Sequence, residues 1–301
     1  MALLLADGTS VSYADLAAQA DEWARRIGPV RRFVILAMDN SLASIAAYLG
    51  CLRGGHVVYP TGEELDAPSL QSLKEIYQVN CCIDAVAGRS DITWMSDVAH
   101  DLHEDLALVL STSGSTGTQK LVKISHGNLD ANARSIAAYL SLSASDRAIT
   151  TLSPHYSYGL SVINSYLSAG ACLVLTNASV VDAEFMDLLV SSKATSFAGV
   201  PHTFDLLLGS RFDFSVAPSL RYVTQAGGKL SLQTARAFAE ISQTCGFEFF
   251  VMYGQTEASP RIAYLPPSEF ADYPHCIGIP IPGGQISLVD EDGVEIEAID
   301  T

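Results

Sequence analysis

Apolar residues recur in two rhythms along this chain. Behind Ser12-Tyr13-Ala14-Asp15, apolar positions from Leu16 to Ile27 fall three and four residues apart, which predicts a capped helix stopped by Gly28-Pro29. The continuous run Phe33-Val34-Ile35-Leu36-Ala37 reads instead as a buried strand. The alternation continues with helix Ser41 to Leu52, strand His56 to Tyr59, helix near Pro68 to Tyr77, strands near Cys81 to Ile83 and Leu106 to Leu110, and helix Asn128 to Tyr139. It then repeats with strands at 147–152, 172–175, 196–198, 220–224 and 248–251, separated by helices at 160–167, 183–191, 202–208 and 233–242. Strands separated by helices predict α/β architecture, with two doubly wound, mainly parallel sheets flanked by helices. After about Pro266 the style changes. Alternating Gln285-Ile286-Ser287-Leu288-Val289 and the turn residues Asp290-Glu291-Asp292-Gly293 predict the beginning of a small antiparallel β subdomain. The expected division is 1–150 and 151–265 as α/β units and 266–301 as a partial β unit. A stop just inside a hairpin leaves a strand edge unpaired, so a fragment or a truncated relative of something longer is expected.

The 301 residues are 49% hydrophobic, enough for a large core. No apolar run reaches membrane-spanning length, and the start Met1-Ala2-Leu3-Leu4-Leu5-Ala6-Asp7 lacks a basic region, so cytoplasm is the expected location. Six cysteines are scattered without a C-x-x-C pair, which reads as buried free thiols. Seventeen basic against 33 acidic residues give a net charge of −16, which disfavours nucleic acid and anionic membranes as partners. Any phosphate ligand must be held by local donors.

Such donors are concentrated after strand 106–110, in Ser111-Thr112-Ser113-Gly114-Ser115-Thr116-Gly117-Thr118-Gln119-Lys120. Glycines admit close approach of backbone N–H groups to an anion, hydroxyls donate, and the lysine supplies charge. A plain Ser/Thr/Gly connector is the competing reading. A Walker loop is excluded, because Thr118 and Gln119 separate Gly117 from Lys120 and Leu121 follows. Ser113 and Ser115 sit in no G-x-S-x-G elbow, which disfavours serine hydrolysis.

Three more strand-end segments carry chemistry. Tyr253-Gly254-Gln255-Thr256-Glu257 offers a ring for a base, a hydroxyl for phosphate and a carboxylate for Mg²⁺; the alternative is a core tyrosine with a solvated glutamate. Gly227-Gly228 is either a mere turn or a place where a flat ring lies on backbone. Pro154-His155-Tyr156-Ser157-Tyr158-Gly159-Leu160 sets a histidine among aromatics at an expected pocket mouth, although a lone histidine is more often a structural hydrogen-bonder. Gly199-Val200-Pro201 is a further strand-end loop with an equally good structural role. No His/Asp/Glu spacing makes a metal cage.

In chain order these segments resemble the adenylate-forming superfamily of acyl- and aryl-CoA synthetases, nonribosomal adenylation domains and luciferases. The segment 112–120 looks like its phosphate loop, Gly227-Gly228 like its adenine-backing turn, and Tyr253 to Glu257 like its Y-G-x-T-E motif. The resemblance implies ATP and Mg²⁺ as cofactors, with Thr112, Ser113, Gly114, Ser115, Thr116 and Gly117 around phosphate and Gly227, Gly228, Tyr253 and Gly254 around the nucleotide. Lys120, Thr256 and Glu257 would be catalytic, Glu257 also holding the metal. His155, Tyr156, Tyr158, Gly159, Val200 and Ala258 would line the acid pocket. Gln119 and Leu121 depart from the family's usual Pro and Gly. The implied reaction joins a carboxylic acid to AMP and then to a thiol of CoA or of an acyl carrier protein's phosphopantetheine. Where amino-acid-activating relatives place an aspartate, Gly159 stands, which favours an acyl or aryl acid. By the resemblance, the ribose-binding motif, hinge and lid domain lie beyond residue 301, so weak nucleotide binding and poor turnover by these residues are expected. A non-catalytic nucleotide-binding protein and an unrelated transferase domain are the rival readings.

Overall fold

A computed structural model describes residues 1–62, 67–112 and 120–296. Among them the chain runs β1 (Leu3–Leu5), β2 (Ser10–Val11), α1 (Tyr13–Ile27), β3 (Phe33–Ala37), α2 (Leu42–Arg53), β4 (Val57–Thr61), α3 (Ala67–Tyr77), β5 (Cys81–Asp84), β6 (Asp91–Trp94), β7 (Leu106–Thr112), β8 (Lys120–Ser125) and α4 (His126–Tyr139). It continues with β9 (Arg147–Ile149), α5 (Ser157–Ser168), β10 (Cys172–Leu175), α6 (Ala183–Ser191), β11 (Ser196–Gly199), α7 (Pro201–Ser210), β12 (Tyr222–Gln225), α8 (Leu232–Cys245), β13 (Glu248–Tyr253), β14 (Ala263–Leu265) and β15 (Ile279–Pro280).

The strands form a nine-stranded sheet, β15-β14-β13-β12-β11-β9-β10-β1-β2, and a six-stranded sheet, β6-β5-β3-β4-β7-β8. Interior neighbours are parallel, while β2, β14 and β15 in the first sheet and β6 and β8 in the second are antiparallel. The expected α/β class with two mainly parallel sheets is therefore observed. The sheets do not divide at residue 150, however. Leu3–Leu5, only a weak apolar run, joins β10 in the nine-stranded sheet, with Leu4 opposite Val174. Long-range pairing decides that membership.

Helices α1, α2, α4 and α5 fill the space between the sheets, and strand residues alternate across it. Val34 and Leu36 face this shared core, whereas Phe33 and Ile35 face an outer cluster beneath α3. Likewise Phe250 faces inward, while Phe249 joins a phenylalanine-rich cluster under α6, α7 and α8. Period-two alternation with both faces covered explains why the strands read as continuous apolar runs. Helix starts follow local chemistry: Ser12 Oγ accepts from Asp15 N at 3.0 Å while Ser12 N donates to the Asp15 carboxylate at 3.3 Å, a reciprocal cap on α1.

The antiparallel extension differs from expectation. Gln285–Val289 forms no strand; the segment makes a single antiparallel bridge, Val289 to Glu295, around the expected Asp290–Gly293 turn. Ile286, Leu288, Val289 and Val294 are exposed. Alternation specifies a strand only where a second apolar surface covers one face, and among the described residues none does. Ser135 Oγ donating to Pro282 O at 2.7 Å ties the start of this segment to α4.

Candidate active site

Parallel register aligns the carboxyl ends of β9, β11, β12 and β13, with Gly199 opposite Gln225 and Gln225 opposite Val251. The loops after these strands, carrying residues 150–156, 200, 226–231 and 254–259, therefore share one edge, where open α/β sheets place ligands. Antiparallel pairing of Thr112 with Lys120 closes the β7–β8 hairpin of the other sheet, and β8 contacts the Thr256–Ala258 turn. Both sheets thus contribute to one cleft. Ser113, Gly114, Ser115, Thr116 and Gly117 of the expected phosphate cradle lie outside the described residues, between Thr112 and Lys120.

After β12 the chain turns through Gly227 at φ +81°. A Cβ there would stand 2.6 Å from the Tyr156 hydroxyl and 3.0 Å from Val200 Cγ1, so the bare glycine is what lets these groups meet. Gly228 presses similarly on Pro201. Buried Gln225 holds the turn from beneath, its side-chain amide donating to Gly228 O at 2.8 Å. Gln225 has no signal in the sequence beyond lying on the apolar strand.

At the end of β13, Tyr253 is 42% exposed and Glu257 is exposed, leaving a ring and a carboxylate presented at the cleft. The Thr256 and Ser157 hydroxyls lie 3.1 Å apart, joining this turn to the start of α5. Gly254 serves the chain's own closure, because a Cβ on it would stand 1.7 Å from Pro260 O. Ala258 is half-buried. Among the described residues no group of three or more His, Cys, Asp or Glu could hold a metal ion.

The expected acid-pocket residues separate into two sets. Tyr156 and Val200 border Gly227 at the cleft. Tyr158 and Gly159 are closed into the core instead. The Tyr158 hydroxyl lies 2.9 Å from both Thr224 O and Thr224 Oγ1, and the Arg261 guanidinium covers its ring at 4.1 Å. Gly159 packs against the carbonyls of Leu152 and Ser153, which a Cβ would meet at 3.1 and 2.3 Å. The first turn of α5 buries both because it docks on the strand-end backbone, a constraint that motif order does not express. His155 stands beside Gly62 with Nδ1 buried and without a hydrogen-bond partner among the described residues, and burial lowers its pKa. The ring is thereby held neutral, suited to polar contact rather than to charge. Burial raises the pKa of Tyr156, so its hydroxyl stays protonated. Sequence reasoning missed Ser157, Gln225 and Arg261, the last being an arginine in an otherwise unremarked linker.

Residues 83–298 match the family model described as "AMP-binding enzyme". An uncharacterized acyl-CoA ligase, YtcI of Bacillus subtilis, is 25% identical over 296 residues, covering 86% of this chain and 54% of its own. The chain thus spans about half the length of that curated relative. The crystal structure of VinN superposes with a TM-score of 0.81 at 26% identity, covering 98% of this chain and 81% of VinN, which has also been solved in complex with L-aspartate. Apo MatB from Rhodopseudomonas palustris shares the fold at TM-score 0.84 and 22% identity, covering 100% of this chain and 65% of MatB. No helix among the described residues is long and apolar enough to cross a membrane.

Proposed function

Because the chain belongs to the AMP-binding enzyme family of the adenylate-forming superfamily, we propose that it takes part in ATP-dependent activation of a carboxylic acid as its acyl-adenylate, followed by transfer to a thiol. One observation carries the reading. The Gly227-Gly228 turn, Tyr156, Val200 and the Tyr253–Glu257 segment converge on one strand-end cleft, opposite the β7–β8 hairpin.

In the proposed step a carboxylate oxygen attacks the α-phosphorus of ATP and pyrophosphate leaves with the electron pair of the broken P–O bond. A thiol then attacks the acyl carbon and releases AMP. The chain's residues act by positioning and by charge. The exposed Tyr253 ring offers a stacking face, the glycine pair leaves room for a flat base, and Thr256, fixed by Ser157, donates toward phosphate. Lys120 brings positive charge to the hairpin end. Mg²⁺ held at Glu257 would supply charge neutralisation of the phosphates. We assign the acceptor to CoA or to a carrier protein's phosphopantetheine, and the location to the cytoplasm, where ATP and free thiols coexist. Residues 1–301 are read as the nucleotide- and acid-binding part of the site, with Ser113 to Gly117 as its phosphate loop.

The acid is read as acyl or aryl, because α5, whose start at Tyr156 borders the cleft, carries no Asp or Glu to meet an amine. The complex of VinN with L-aspartate favours a second reading, an amino acid substrate. The experiment is AMP and ATP titration of the chain, with pyrophosphate exchange across acyl, aryl and amino acids. Nucleotide binding that weakens at least about tenfold in Lys120→Ala and Glu257→Ala is expected. Unchanged binding in both variants would overturn the site; exchange with amino acids alone would overturn the acid class.

A further inference from the structure

Arg261 is a charged residue in the cleft's surroundings that the adenylation chemistry leaves unused. It is 4% exposed and lies in the connection between β13 and β14, just past the Tyr253–Glu257 segment. A buried guanidinium is ordinarily matched by a carboxylate, because removing an ion from water costs several kcal/mol unless a counter-charge repays it. Among the described residues Arg261 has no ion-pair partner, and its Nε is buried without a hydrogen bond. What it does have is a hydrogen bond with the Tyr139 hydroxyl and aromatic rings. Its guanidinium carbon lies 4.1 Å from the centroid of Tyr158, whose ring meets Tyr156 edge-on at 6.3 Å. Its charge also opposes the burial that raises the pKa values of Tyr139, Tyr156 and Tyr158, which places all three hydroxyls within its field.

The buried carboxylate of Asp146 provides the contrast. Asp146, fully buried, is paired with Arg221 and further bonded by Thr195 Oγ1 at 3.1 Å and Ser143 N at 2.8 Å. The fold therefore compensates a buried charge where its role is structural. At Arg261 the compensation is π-electron density and neighbouring hydroxyls alone, one ring removed from Tyr156 and the Gly227 turn that border the cleft.

We propose that Arg261 is a specificity-determining residue that selects a carboxylic acid carrying a second anionic group, the guanidinium pairing with that group while the first carboxylate is activated. The inference rests on the adenylation reading above and deepens it. A second anion reaching past Tyr156 supplies the missing counter-charge and a partner for Nε, whereas an apolar tail leaves a desolvated cation without a counter-charge. Charge-assisted hydrogen bonds in a desolvated setting correspond to about ten- to a hundredfold in affinity.

The test is calorimetric titration of the 301-residue chain with 5′-O-(N-acylsulfamoyl)adenosines of a short series of diacids, each matched with a monoacid in which an isopropyl group replaces the distal carboxylate. AMP is titrated in parallel. The expected result is tighter binding of at least one diacid analogue by about tenfold or more over its match, with the preference lost in Arg261→Met, retained in part in Arg261→Lys, and AMP affinity unchanged in both. Equal binding of every matched pair by the unaltered chain, with AMP bound, overturns the proposal while leaving the adenylation reading standing. That comparison requires no variant to fold. Failure of AMP to bind the unaltered chain overturns the adenylation reading and this inference with it.

Discussion

Two glycine-to-alanine exchanges separate backbone strain from cleft architecture. Gly227 and Gly246 have nearly the same left-handed backbone, at φ +81° and +79°, but different surroundings. Gly246 ends α8, its N–H donating to Ser242 O at 2.9 Å, and a Cβ there meets nothing within 4 Å. Gly246→Ala therefore costs only the left-handed penalty, about 1–2 kcal/mol. Gly227→Ala carries the same penalty plus a contact of 2.6 Å with the Tyr156 hydroxyl and 3.0 Å with Val200 Cγ1. Relieving it pushes Tyr156 off its rotamer or shifts the turn, which adds about 1–3 kcal/mol. In a chain of this size each kcal/mol moves the melting temperature by roughly 2 °C. Gly246→Ala should thus melt roughly 2–4 °C lower and bind AMP as the unaltered chain does, while Gly227→Ala should melt roughly 4–10 °C lower and bind AMP at least about tenfold more weakly. Differential scanning calorimetry and AMP titration read both. Equal melting losses would show that the Tyr156–Gly227 contact is absent in solution, and full AMP affinity in Gly227→Ala would show that the turn does not border the nucleotide.

Other substitutions probe the remaining parts. Tyr253→Ala should change stability by about 1 kcal/mol or less, because the side chain is partly exposed, yet weaken AMP binding by about tenfold or more through lost stacking, with Tyr253→Phe close to unaltered; fluorescence titration distinguishes them. Glu257→Gln, at an exposed position, should leave the melting temperature in place and lower Mg²⁺-dependent pyrophosphate exchange by about a hundredfold, an effect that titration with excess Mg²⁺ should reduce. Arg221→Met should cost about 1–3 kcal/mol in urea unfolding, since it removes the half-exposed counter-charge of the buried Asp146 carboxylate, which keeps its bonds from Ser143 N and Thr195 Oγ1. His56, fully buried with neither ring nitrogen bonded among the described residues, has its pKa pushed down from 6.5 to about 4 by burial and by Arg32 and Arg31. The neutral folded ring therefore contributes stability that is fully present above about pH 6.5 and is lost as pH falls toward about 4, up to roughly 3 kcal/mol. In His56→Leu that portion of the pH dependence should vanish; an identical acid profile in both proteins would refute the assignment.

How much could be read before folding varied with the range of the interactions. The helix from Tyr13 to Ile27 was legible because its cap and its apolar spacing are local, and the same holds for the central strands, whose two covered faces leave uninterrupted apolar runs. Gly227-Gly228 and Tyr253–Glu257 were legible as strand-end segments, and parallel register then sets them on one edge. The strands Leu3–Leu5 and Lys120–Ser125 were not legible, since three leucines or an alternation such as KLVKIS become strands only beside β10 and β7. The reverse failure occurred at Gln285–Val289, where good alternation found no covering surface.

The sequence by itself determined the class of architecture, the order of the motifs and the chemistry they offer, because those depend on residue type, spacing and chain direction. Only the tertiary structure decided which motif residues stand in the cleft. Tyr156 and Val200 reach Gly227 there, while Tyr158 and Gly159, two and three positions along the same helix turn, are sealed against Thr224, Arg261 and the backbone of Leu152 and Ser153. A helix turns about 100° per residue, so neighbours in a motif face different surroundings once one face docks. Arg261 became visible for the same reason: a charge among linker residues is unremarkable until packing removes its water and provides no carboxylate in return.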